Sequence, residues 1–172
     1  MRVIVVRHAE KSANLPSSPL TASGRDSAVE TGEWLRAYGV VPVLVAHSNT
    51  VRTRETAEYA LSAFGLNLLS VVPRVLLPEP MPGSPNDWAK RMRQVREALN
   101  GVRMVEHLEG DAILFVHRAT QYLVQDAYGG AAFLVPRENR GCAYVLDVPT
   151  NAQEARCVAA WPGHPKLSRV PE

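Results

Sequence analysis

Three short runs decide most of what this chain can become. Residues 3–6, 41–46 and 112–116 are apolar almost throughout, rich in β-branched side chains, and show no polar–apolar alternation. A strand wetted on one face alternates. A strand buried on both faces does not, and that is the pattern of a parallel sheet covered on each side. Helical stretches lie between and after the runs. Residues 24–37 carry Ala28, Trp34 and Leu35 and stop near Gly39, and residues 51–64 stop at Gly65; both glycines sit where a helix C-terminus favours them. Residues 87–99 place Trp88, Met92, Val95 and Leu99 on one face, with Lys90, Arg91, Arg93 and Arg96 mostly elsewhere. That spacing predicts an amphipathic surface helix whose basic residues form a solvated face. A further helix is expected over 119–128, then strands over 143–148 and 156–161 around a turn at 149–154. From Pro162 onward the chain reads as a surface tail. Strands alternating with helices predict an α/β layer fold.

No internal repeat or linker divides the sequence, and 172 residues suit a single domain spanning residues 1–172. Hydrophobic residues make up 46% and charged ones 21%, which argues against disorder. A net charge of +2, without a block of Lys and Arg, gives no footprint for nucleic acid. Any positive charge that function needs must be gathered in a pocket. The run at 3–6 is too short for a signal peptide core or a membrane span, so a cytoplasmic enzyme with no membrane partner is expected. Cys142 and Cys157 form no CxxC pair, which leaves a structural zinc site without support, and two reduced thiols are expected.

The residues just past each run carry the chemistry. The first run leads into Arg7-His8, the second into His47-Ser48 and then Arg52, the third into His117-Arg118. Ligands of open α/β sheets bind outside the carboxyl ends of the strands, so parallel strands would deliver these groups to one edge. Arginine offers a planar fork of donors that pairs bidentately with phosphate oxygens and never loses its charge. Histidine is neutral near pH 7 and can accept a phosphoryl group on nitrogen. Arginines and histidines converging on one edge therefore suit a phosphate dianion.

The run Val5-Val6-Arg7-His8-Ala9-Glu10 resembles the signature of the histidine phosphatase superfamily, also called the phosphoglycerate mutase-like family. Pro19-Leu20-Thr21 with Gly24 resembles the stretch that opens its first helix. The block from Ser48 through Arg52 to Ala57 resembles S-P-L-x-R-A-x-Q-T-A in register. Leu77-Pro78-Glu79 resembles the segment carrying the acid, and residues 113–117 resemble the strand ending in the second histidine. The blocks keep the family's order. The resemblance implies a three-layer sandwich, with a mostly parallel central sheet and helices on both faces. It implies that His8 is the phosphorylated nucleophile, that Arg7, Arg52 and His117 grip the phosphoryl group, and that Glu79 protonates the leaving oxygen and later activates water. Asn14, six positions after His8, would lie against the phosphate, and Thr21 is a weaker candidate. The resemblance implies no metal and no cofactor. His47 could line the pocket rim, and Glu10 is expected to be structural.

Some positions depart from the pattern: Ala9 replaces the usual Gly, Asn49-Thr50 replaces Pro-Leu, and Arg118 replaces a small residue. The short chain most resembles the small SixA-like members, which implies a phosphatase acting on a phosphorylated small molecule or a phosphoprotein. The alternatives are phosphoglycerate mutase-type phosphotransfer and a phosphate-binding scaffold without turnover.

Overall fold

A computed structural model describes residues 2–13, 15, 17–68, 74–77, 109–117, 142–147 and 156–161. In chain order these contain β1 (Arg2–Arg7), α1 (Ala22–Ala37), β2 (Pro42–Ser48), α2 (Val51–Ser62), β3 (Arg74–Leu77), β4 (Asp111–Val116), β5 (Ala143–Asp147) and β6 (Arg156–Trp161). The strands form one sheet in the order β3-β2-β4-β1-β5-β6. The first four run parallel to one another, while β5 is antiparallel to both β1 and β6.

The absence of alternation has the physical cause expected of it in residues 3–6, 44–46 and 112–116, whereas Val41 is 57% exposed and Pro42 and Val43 are half-buried, so the first half of the second run departs from expectation. On one face, Ile4, Val6, Val45, Ile113 and Phe115 pack against Leu35 of α1 and Ala57, Ala60 and Leu61 of α2. On the other, Val3, Val5, Leu44, Ala46, Ala112 and Leu114 are equally buried. The sheet is thus the middle layer of an α/β sandwich, as expected.

Both helices begin and end where the sequence signals. Thr21 caps α1, its Oγ1 accepting from Gly24 N at 2.9 Å, and Gly39 follows the C-cap with φ +77°. Gly65 does the same after α2 with φ +69°, a left-handed conformation that costs glycine little. Gly32 lets the two helices touch, because a Cβ there would overlap the carbonyl of Ala60.

Two further features depart from expectation. β2 runs on through His47 and Ser48, which the sequence places just past the apolar run; pairing of His47 with Phe115 and Leu76, and of Ser48 with Leu77, holds them in the sheet. The partner strand β3 has no counterpart among the expected elements, since four residues after a proline make too short a run to stand out.

Register decides where the chemistry lies. Arg7 pairs with Val116, and His47 pairs with Phe115, so the carboxyl ends of β1, β4 and β2 finish level. The opposite edge is tied separately. Arg2 donates from Nε and Nη2 to the two carboxylate oxygens of Asp111 at 2.8 and 2.7 Å, and Asp111 also accepts from Val41 N at 2.8 Å. No described helix is long and apolar enough to cross a membrane. The helices expected over 87–99 and 119–128, the turn at 149–154 and the tail from 162 lie outside the described residues, as do Asn14, Glu79 and Arg118.

Candidate active site

His8, immediately after β1, is only 6% exposed and His117, immediately after β4, only 7%. Their rings meet edge to face with centroids 5.1 Å apart. His8 N donates to Val116 O at 3.0 Å, which locks the two strand ends together. His8 Nδ1 lies 2.8 Å from Ala9 O. A carbonyl can only accept, so Nδ1 carries the proton and the lone pair of the neutral ring is on Nε2.

Arg52, in the first turn of α2, is 8% exposed and donates from Nη1 to Leu15 O at 3.0 Å. Burial lowers the pKa of His8 from 6.5 to about 4; the nearby charges of Arg52, Arg7 and Lys11 act in the same direction, and the Ala9 hydrogen bond opposes them. His117 is lowered to about 3, by burial first and then by His8, Arg52, Lys11 and Arg7. The structure thus brings Arg7, His8, Arg52 and His117 to one site, with both histidines neutral and two guanidinium charges beside them. Such a site is short of negative charge, and a dianion entering it would be attracted by the guanidinium groups.

The backbone around the nucleophile candidate is held by side chains of α2. Ala9 N donates to Thr56 Oγ1 at 3.1 Å, and Thr56 Oγ1 donates in turn to Arg52 O at 2.6 Å. Glu55 Oε2 accepts from Leu20 N at 2.7 Å, fastening the segment before α1. Glu10 accepts from Thr21 Oγ1 at 3.1 Å. Thr21 is thus both the cap of α1 and a donor to Glu10.

Residues 3–79 match the model of the histidine phosphatase superfamily (branch 1). The fold is similar to that of the protein histidine phosphatase SixA solved in complex with tungstate, with a TM-score of 0.68 and 18% identity over 93% of this chain and 96% of that one. The sequence likeness to this superfamily thus covers residues 3–79, and the likeness of fold extends over nearly the whole chain. The chain is also similar to a putative alpha-ribazole-5'-P phosphatase from Escherichia coli str. K-12 substr. MG1655, with TM-score 0.66, 19% identity, and 91% and 94% of the two chains covered. The mycobacterial glucosyl-3-phosphoglycerate phosphatase complexed with VO3 gives 0.64 at 18% identity, covering 85% of this chain and 92% of that one. At such identities the likeness is one of fold. No curated protein sequence matches the chain.

Within the superfamily pattern, the Asn49-Thr50 departure has a consequence that sequence reasoning missed. Thr50 is the cap of α2, but its Oγ1 also lies 3.3 Å from His117 Nε2 and 2.9 Å from Thr53 Oγ1. A leucine at this position could make neither bond. The only signal in the sequence was a capping residue, and nothing local tied it to a histidine 67 positions away.

The lowered pKa values make a direct prediction. In the ligand-free protein the ring of His8 is expected to titrate with a midpoint near 4 rather than at the ordinary 6.5. The folded state binds this proton more weakly than the unfolded chain. The stability contributed by both neutral histidines is therefore fully present above pH 6.5 and falls away as pH drops towards 4 for His8 and 3 for His117. Proton NMR of the imidazole resonances checks this; a midpoint at 6.5 would contradict the buried, cation-flanked site.

Proposed function

We propose that the protein is a phosphatase that hydrolyses a phosphomonoester or a phosphohistidine through a phosphorylated His8. The observation carrying this reading is His8 itself: a buried, neutral imidazole whose Nδ1 is engaged by Ala9 O, leaving Nε2 as the free lone pair beside the charges of Arg52 and Arg7. Phosphoryl transfer asks a protein chiefly to position the group and to stabilise charge on its equatorial oxygens. Arg7, Arg52 and His117 serve that purpose in this reading, with Asn14 as a further contact to the phosphate. As Nε2 bonds to phosphorus, the bond to the leaving oxygen breaks, and the electron pair departs with that oxygen. Glu79 gives it a proton. Water then attacks the phosphorus, Glu79 takes the water's proton, and the N–P electron pair returns to Nε2.

The position of Glu79 in the sequence suits this part. It follows the end of β3 by two residues, and β3 pairs with β2, whose far side joins β4 and the His117 end. The carboxyl end of β3 lies level with Ser48, so the chain enters the acid-bearing segment from the edge where the histidines gather. A cytoplasmic setting belongs to the same reading and rests on the sequence.

The test is intact-protein mass spectrometry after rapid quenching without acid from an aryl phosphate. A phosphate adduct that is lost in acid is expected on the wild type. Glu79→Gln is expected to form the adduct from the aryl phosphate, whose leaving group needs no proton, but not from an alkyl phosphate. No adduct together with no phosphate release would favour the scaffold alternative. Transfer to a second position of the substrate without net release would favour a mutase.

A further inference from the structure

A cleft of about 270 Å³ opens beside the site, lined by Ser17, His47, Asn49, Thr50, Val51 and Arg54. It is joined to the candidate phosphate site through Thr50, which lines the cleft and whose hydroxyl reaches His117. Its second distinctive wall is His47. That residue is 5% exposed, and its Nδ1 lies 3.0 Å from Ser48 O. By the argument applied to His8, Nδ1 is the donor, so with a single ring proton Nε2 is the acceptor. No described residue bonds that nitrogen. A ligand that displaces water from the cleft and offers this acceptor no donor would leave it unsatisfied at a cost, so the cleft favours a ligand that brings one.

We infer that this cleft is the leaving-group subsite, and that His47 selects substrates whose alcohol carries a further hydroxyl, as polyol and sugar phosphates do. The inference rests on the phosphatase reading above and narrows it.

Sheet order supports the placement. β4 lies between β1 and β2, so His117 stands between His8 and the cleft. In-line displacement puts the leaving oxygen on the side of phosphorus away from the nucleophile. An attack by His8 directed along the sheet edge towards β4 would put that side over β2. The cleft's volume falls below the roughly 300–1,000 Å³ of drug-sized ligand pockets and suits a fragment of a few carbons. The lining matches in kind: one acceptor at His47, the amide of Asn49, hydroxyls at Ser17 and Thr50, and the exposed cation Arg54, set against the single aliphatic side chain of Val51. A flat aromatic leaving group would leave Nε2 of His47 without a partner.

The experiment compares kcat/KM for glycerol 3-phosphate, ribose 5-phosphate and glucose 6-phosphate with that for phenyl phosphate, in wild type, His47→Leu and His47→Gln. In His47→Leu the ratio of the best hydroxylated substrate to phenyl phosphate is expected to fall roughly tenfold, the worth of one neutral hydrogen bond near the top of its usual range. His47→Gln keeps an acceptor on a side chain of similar length and is expected to restore most of the ratio. That rescue separates recognition from a general disturbance of the fold, which would lower both substrates together. A ratio unchanged in a folded His47→Leu protein, or a wild type that prefers phenyl phosphate, overturns the subsite and leaves the phosphatase reading standing. A wild type that hydrolyses none of these substrates but does dephosphorylate a phosphohistidine peptide overturns the subsite alone; one that hydrolyses neither overturns both.

Discussion

His8→Ala is expected to lose phosphatase turnover altogether, a fall on the order of 10⁵-fold or more, the scale seen when a covalent nucleophile is deleted. The size of the effect follows from the absence of a substitute among the described residues. His117 is the nearest imidazole, with its ring centroid 5.1 Å from that of His8, but its Nε2 is engaged by Thr50 at 3.3 Å. His47 sits farther along the sheet edge, beyond β4, with its ring in the cleft wall. Neither ring is placed to take over the bond to phosphorus. Steady-state kinetics with an aryl phosphate, together with a thermal melt to establish that the variant folds, provide the check. A folded His8→Ala protein within tenfold of the wild-type rate would rule out the covalent route.

Arg52→Ala is expected to cost about 10²–10³ in kcat/KM, the range for removing one preorganised donor to a developing anion. Two structural details sharpen this. The guanidinium is one of the charges that depress both His8 and His117, so its removal should also move the His8 titration upward towards 6.5. The same side chain anchors the loop before α1 through Leu15 O, and some of the loss will come from that loop. Arg52→Lys separates the contributions. It keeps a positive charge but not the planar fork, so it should hold the His8 titration low while recovering only part of the rate. If Arg52→Ala left both the rate and the titration unchanged, Arg52 would have no part in the site.

The described part of the candidate site was legible because its members stand next to the features that define the sheet. Arg7-His8 and His117 come directly after runs whose lack of alternation already marks them as buried strands, and Arg52 lies a few residues past the remaining run. The caps were legible for a local reason as well: Thr21 and Thr50 satisfy backbone donors of their own helices, and Gly39 and Gly65 take a conformation that other residues adopt only at a cost. Strand β3 was not legible. Its residues Arg74–Leu77 are held in place by pairing with β2, and no property of four residues taken alone announces a partner. The same holds for His47 and Ser48, which lie past the end of the apolar run and are kept in the sheet by pairing.

By itself, then, the sequence determined where three of the parallel strands lie, though not that 41–43 stay partly open, where the two described helices stop, and which cations and imidazoles leave the strand ends, because burial period and capping are properties of neighbouring residues. Tertiary structure alone decided the order β3-β2-β4-β1-β5-β6, the register that finishes three strands level, and the tautomer of His8. It also decided the contact between Thr50 and His117 and the cleft walled by His47. These depend on groups far apart in the chain meeting at hydrogen-bond distance. Such a meeting is fixed by how the layers pack, and no window of sequence contains it.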